Sequence, residues 1–301
     1  MYRIQRRTTM AAVGLAVAAA ATAISVGTGT ADAVPVATTA AATSAGITSY
    51  VALGDSYASG AGLSGQTNAT CLRSSGSYPV WLKKTYKISD ANFKNVTCSG
   101  ATTRSLWNDQ GPAHPQLNAL SKNTDLVTVS IGGNDLGFST VLADCVLQAQ
   151  LKGSTGSPCR TKYNAGGQNL LEARIAKLAP RIGSMVVDIK RRSPAARVVV
   201  VGYPTLFPAK ADRCGASVPL ADGDVTYLDD ITRKLNSMLA NQARGAGAAY
   251  ADTYSGSQGT DMCQPQNTRW VNPLLPLSAG SAHPTGVGHL FMANRVFEAL
   301  K

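Results

Sequence analysis

Charge, aromatic rings and histidine are all scarce in this chain. Of its 301 residues 15% are charged, 6% are aromatic and three are histidine. Neither Cys-x-x-Cys nor His-Glu-x-x-His spacing occurs, so a zinc centre of those types has no support, and no metal or cofactor is expected. Lys plus Arg number 28 against 17 Asp plus Glu, a formal +11. Aromatics are not interleaved with the basic clusters, so this excess carries no nucleic-acid signature. A Gly-Lys-Ser/Thr phosphate loop is missing, and there is neither an internal repeat nor a second composition regime. With 44% of residues hydrophobic, a wholly disordered or collagen-like chain is excluded.

What is present first suggests export. Arg3, Arg6 and Arg7 precede an Ala-rich apolar run from Met10 to Val26 that ends near Ala31-Asp32-Ala33, so residues 1–33 read as a secretion signal and the protein as secreted. Arg6-Arg7 would suit twin-arginine export. At about 17 residues the apolar run barely reaches the minimum for a transmembrane anchor, and its small residues and cleavage site favour removal. Residues 34–47 read as a flexible lead-in, and one domain over 48–301 follows, with a monomer as its expected state. Without the signal the formal charge is +9. The clusters Lys83-Lys84-x-x-Lys87 and Lys190-Arg191-Arg192 read as solvated helix faces, with an anionic lipid or cell-wall surface as the partner they would otherwise attract.

Six cysteines, Cys71, Cys98, Cys145, Cys159, Cys214 and Cys263, suit three disulfides in an oxidising compartment. Sequential pairing is favoured because it closes the shortest loops.

Apolar runs recur at Tyr50 to Leu53, Phe93 to Thr97, Leu126 to Ile131, Val198 to Val201 and Ala248 to Ala251. They are β-branched and do not alternate, as strands of a parallel sheet buried on both faces should be. Helical stripes lie between them. Leu171, Ile175, Leu178, Ile182, Met185 and Ile189 make one, which Pro180 should kink; Leu228, Ile231, Leu235, Met238 and Gln242 make another. Val287, Leu290, Phe291, Phe297 and Leu300 make a third in a helix beginning at Pro284. Alternating strands and helices predict a doubly wound, three-layer α/β/α domain with a central parallel sheet.

Ligands of such a sheet bind at the carboxyl ends of its strands. There stand Gly54-Asp55-Ser56, Cys98-Ser99-Gly100 and Gly132-Gly133-Asn134-Asp135, with His283-Pro284 before the last helix. A serine needs a base to take its proton, and neutral imidazole serves near pH 7, which makes Ser56 the candidate nucleophile and His283 its base. The Ser56 N–H, the Gly100 N–H and the Asn134 amide are candidate donors to a tetrahedral oxyanion. Asp55 adjoins Ser56 and points elsewhere, so it and Asp135 read as structural hydrogen-bonding groups. His289 reads as a surface or packing residue and His114 as a loop residue. Gly60-Ala61-Gly62-Leu63-Ser64-Gly65 matches a dinucleotide fingerprint in form, but no helical period follows it and no acidic residue stands where the ribose would need one.

These four blocks, in this order, resemble the SGNH or GDSL hydrolases. With YVALGDSYASG, CSGAT, SIGGNDLGF and VVVVGYP, the chain is similar to secreted actinomycete lipases and esterases of that family. The resemblance implies a flavodoxin-like fold and a serine ester hydrolase acting on lipid esters without cofactor or metal. Phospholipase and acyl-sugar esterase activities belong to the same fold, and a non-catalytic envelope-binding protein is the competing class. The family usually has Asp three residues before the histidine; here that position is Gly280. A backbone carbonyl can orient the imidazole instead, because it is purely an acceptor and fixes the tautomer that leaves Nε2 toward serine. Some family members are thought to work as such a Ser-His dyad, and Ser281 is the expected source of the carbonyl, with Gly280 second.

Overall fold

Two-sided burial of Val-rich segments produces a parallel sheet. A computed structural model describes residues 46–210 and 214–301; the expected signal and residues 34–45 lie outside them. β1 (Tyr50–Gly54) is followed by a small antiparallel hairpin, β2 (Gln66–Asn68) with β3 (Arg73–Ser74), and then by β4 (Phe93–Asn95), β5 (Leu126–Ser130), β6 (Arg197–Val201) and β7 (Ala249–Ala251). The main sheet has the order β4-β1-β5-β6-β7, parallel throughout. Every residue of β1 and β5 is buried, and their register runs from Tyr50 opposite Leu126 to Gly54 opposite Ser130, so both end level. The chain leaves β1 toward β4 on one side and returns to β5 on the other. That reversal opens a crevice between the ends of β1 and β5, where a doubly wound sheet binds its ligand.

The helices are α1 (Ser56–Ser59), α2 (Tyr78–Thr85), α3 (Gly133–Leu136), α4 (Phe138–Lys152), α5 (Pro158–Tyr163), α6 (Leu170–Arg192), α7 (Asp222–Gly245) and α8 (Gly286–Ala299). α6 packs on α7, and α2 on α8, covering the two faces of the sheet as layers outside it. In α6 all six residues of the expected stripe are buried, the Asn169 side chain caps the first turn by accepting from Leu171 and Glu172 N–H, and Pro180 lies inside the helix without ending it. The α7 stripe is buried at Leu228, Ile231, Leu235 and Met238.

The last helix differs from expectation. Its inward face is Gly288, His289, Met292, Ala293 and Val296, while Val287 and Leu290 are exposed. Hydrophobicity alone selects the wrong face because the most deeply buried polar position is a histidine: His289 is fully buried, and its Nδ1 accepts from the Tyr78 N–H. The helix also starts later than Pro284. Thr285 is the N-cap, its side chain accepting from Gly288 N–H, and Pro284 sits in a β-bridge with Val271. The cysteines pair sequentially, Cys71 with Cys98, Cys145 with Cys159 and Cys214 with Cys263.

Candidate active site

Ser56 opens α1 directly after β1, where the chain turns sharply at the sheet's carboxyl end. Asp55 is the N-cap, its Oδ1 accepting from Tyr57 N–H at 2.9 Å, and its own N–H donates to Ser130 O. The Ser56 N–H belongs to the first turn of the helix and has no acceptor among the described residues. Asp55 is thereby engaged away from the Ser56 hydroxyl. Its other oxygen accepts from the Tyr203 hydroxyl at 2.6 Å, and that hydroxyl accepts from Gly133 N–H at 2.8 Å. Burial raises the Asp55 carboxyl to about 7 against these stabilising bonds. Asp135 is also structural, accepting from both the N–H and the hydroxyl of Thr103.

The remaining donors come from the next two strand ends. Gly100 lies in a turn after β4 with φ +79°, a left-handed conformation in which a side chain is strained, and its N–H also has no acceptor among the described residues. Gly100 does not line the cavity that holds Ser56; it stands beside Ala101, whose carbonyl accepts from the Asn134 amide at 2.9 Å. That bond uses one of the two Nδ2 hydrogens and leaves the other for a ligand. Asn134 itself is half-buried in α3, at the end of β5, and does line the cavity.

His283 reaches the same cavity from the loop before α8. Its Nδ1 is 2.8 Å from Ser281 O, whereas Gly280 O accepts the His283 backbone N–H. The carbonyl beside the imidazole is therefore that of Ser281, and it leaves Nε2 as the free acceptor. Ser56 Oγ and His283 are not hydrogen-bonded to each other among the described residues, a spacing that enzymes commonly tighten only around bound substrate. Burial lowers the His283 pKa below 6.5, opposed by the Ser281 carbonyl. With His283 as the candidate base, active in its neutral form, kcat/KM is expected to stay level as pH falls through 6.5 and to decline about tenfold per unit only below a more acidic inflection. A pH–rate profile with its acid limb centred above 6.5 would contradict this.

Two residues that shape the candidate site were not singled out from the sequence. The Tyr57 hydroxyl donates to Ala282 O at 2.5 Å, its ring lies 5.2 Å from the imidazole, and Ala282 holds φ +59°. Tyr57 thus braces the loop from the serine side. Tyr203, just past β6, packs edge-on against Tyr57 and links Asp55 to Gly133. Its place at a strand end was the available signal. His114 and His289 lie away from the cavity, and Gly60 to Gly65 form the cap of α1 and the approach to the hairpin.

The cavity has a volume of about 350 Å³, within the range of small-molecule sites. Beyond the polar groups its wall is largely apolar, with Phe138, Leu142, Val146, Leu206, Leu235 and Leu274 forming an apolar sleeve.

The sequence matches the GDSL-like lipase/acylhydrolase family over residues 52–290. This chain is a member of that family. It is 38% identical to Lipase 2 of Streptomyces coelicolor over 257 residues, covering 83% of this chain and 85% of the relative. Among solved structures, phospholipase A1 of Streptomyces albidoflavus superposes with a TM-score of 0.70 at 30% identity, over 84% of this chain and 99% of that one. The extracellular lipase of Streptomyces rimosus gives 0.66 at 28%, with the same coverage. This GDSL-family protein is a carboxylic ester hydrolase of the lipase/esterase kind, with the α/β fold of its relatives. Among the described residues no helix is long and apolar enough to cross a membrane.

Proposed function

We propose that this chain is a secreted lipase that cleaves lipid esters through an acyl-enzyme on Ser56. His283 Nε2 takes the hydroxyl proton as Ser56 Oγ attacks the acyl carbonyl, and the imidazolium returns that proton to the leaving alcohol. Ser56 N–H, Gly100 N–H and the free Asn134 hydrogen receive the oxyanion, each such donor being worth about 2.7–4 kcal/mol. Water then attacks the acyl-enzyme with His283 again as base. With no carboxylate at Nδ1, the Ser281 carbonyl fixes the tautomer of the neutral imidazole and gives the imidazolium no full countercharge.

The observation that carries this reading is the meeting of Ser56, Asn134 and His283 on one apolar-walled cavity. Export is supported by the pattern of residues 1–33 and the three cystines, with residues 34–47 as lead-in and 48–301 as the catalytic domain. The test is hydrolysis of p-nitrophenyl esters together with a serine-directed phosphonate. Turnover and a single phosphonyl adduct on the Ser56 peptide are expected. Absence of both would overturn this reading and favour the non-catalytic class.

The sleeve favours long acyl chains over acetyl groups. Leu142 is almost fully buried in its wall, so Leu142→Trp should lower kcat/KM for a long-chain ester by roughly tenfold or more and spare the acetate. Equal losses on both esters would place the acyl chain elsewhere.

A further inference from the structure

The end of the sheet remote from the cavity is strongly basic. Each helix that returns the chain to the start of a parallel strand ends there, so α2 and the turn after it deliver Lys83, Lys84 and Lys87, and α6 delivers Lys190, Arg191 and Arg192. Lys94, Lys122, Arg197, Arg244 and Lys301 belong to the same end. Contacts tie these segments together: Lys190 donates to Gly247 O, Arg192 to Leu117 O, Lys94 to Ala119 O, and Arg197 to Leu300 O. Against the eleven cations stand four acidic side chains, Asp90, Asp125, Asp188 and Glu298. The end thus carries +7 of the +9 formal charge of residues 48–301.

Helix ends account for part of this, because cations in a last turn favour the helix dipole. They do not account for Lys94, Lys122, Arg197 or Lys301, which lie outside helices. Nor do ion pairs absorb the charge. Asp90, Asp188 and Glu298 are engaged by Lys83, Arg191 and Lys301, and Asp125 accepts from Thr48 and Ser49. Lys84, Lys87, Lys122 and Arg244 are exposed and have no carboxylate partner among the described residues.

We propose that this basic end binds a linear polymer of phosphate groups, distinct from the ester substrate. Strands of five residues separate it from the cavity by roughly 15 Å. A bilayer supplying the ester must face the cavity mouth, where Leu275 and Leu277 are exposed, and the cationic face then points away from it. A flexible polyanion can instead be held at the far end while the site stays open. The choice of a polymer over a bilayer rests on that reading of the cavity, while the binding itself does not depend on Ser56 chemistry and is measured separately from it.

The test is titration of the protein with long-chain inorganic polyphosphate at 50 to 200 mM salt. Binding should weaken by about a hundredfold over that range if about five phosphates are neutralised. K84E/K87E/K122E should weaken it at least about tenfold, while K152E/K177E/K210E, an equal change in net charge placed elsewhere, should change it less than about threefold. Both variants should hydrolyse a soluble short-chain ester as the parent does, which also shows that they fold; if the first does not, K84Q/K122Q replaces it. Equal losses in the two triple variants would reduce the effect to net charge and overturn the proposal. So would competition between polyphosphate and ester. Equal affinity for phosphatidylglycerol vesicles through the same lysines would assign the face to a bilayer and overturn it as well.

Discussion

His283→Ala should lower kcat by about 10⁴- to 10⁶-fold, leaving the catalysis that oxyanion donors and binding supply without a base. The variant should fold normally, since the side chain is only half-buried and its one polar contact is to a neighbouring carbonyl. Ser281→Ala is the informative partner. It keeps the carbonyl beside Nδ1 and removes a hydroxyl that accepts from Ser278 N–H at 3.0 Å. Its kcat should stay within about threefold of the parent, because that turn bond contributes only about 1 kcal/mol. Rate constants and melting temperatures for both variants make the check. A His283→Ala enzyme retaining a tenth of the rate would remove imidazole from the mechanism, and a thousandfold loss in Ser281→Ala would mean that its hydroxyl takes part.

Gly62→Ala should also be damaging, by about a hundredfold in rate, although residue 62 touches no substrate. A methyl there would lie 2.1 Å from Gly280 Cα and 2.4 Å from Gly280 N, and the position has φ +83°. Both obstacles are backbone, so relief requires the loop carrying Ser281 and His283 to move by about an ångström. Misplacement of that size costs about a hundredfold in rate, and the strained conformation adds about 1–2 kcal/mol of destabilisation. Gly65→Ala is the control. It has φ +68° as well, but its methyl would meet only the Ser75 hydroxyl. It should lose comparable stability with little loss of kcat/KM for a soluble ester. Equal activity in the two variants would show that the contact with Gly280 does not position the histidine.

Much of this site can be read from the chain because its parts stand at strand ends, and the strands announce themselves. Val198 to Val201 is a continuous apolar run and Leu126 to Ile131 is broken only by the small polar residues Thr128 and Ser130; both need cover on both faces, and that demand fixes a parallel sheet. Ser56 and Asn134 then fall at neighbouring ends through the register of β1 and β5. The parts that escape are set by tertiary contact. Nothing about alanine marks residue 282 for a left-handed conformation, which the Tyr57 hydroxyl helps hold from 225 residues away. Likewise, no periodicity rule puts His289 inward and Val287 and Leu290 outward. That choice follows from Tyr78, whose backbone N–H finds its acceptor on the imidazole.

The bridge between Cys71 and Cys98 bears on more than stability. Cys98 N–H donates to Gly54 O at the end of β1, and Ser99 N–H donates to Cys71 O, so the covalent bond pins both sides of the turn that presents Gly100. A newly made chain in a reducing compartment would hold that turn by hydrogen bonds alone. For a secreted chain, as proposed above, oxidation after export would then be a maturation step that fixes the Gly100 turn where the substrates are and not where the protein is synthesised.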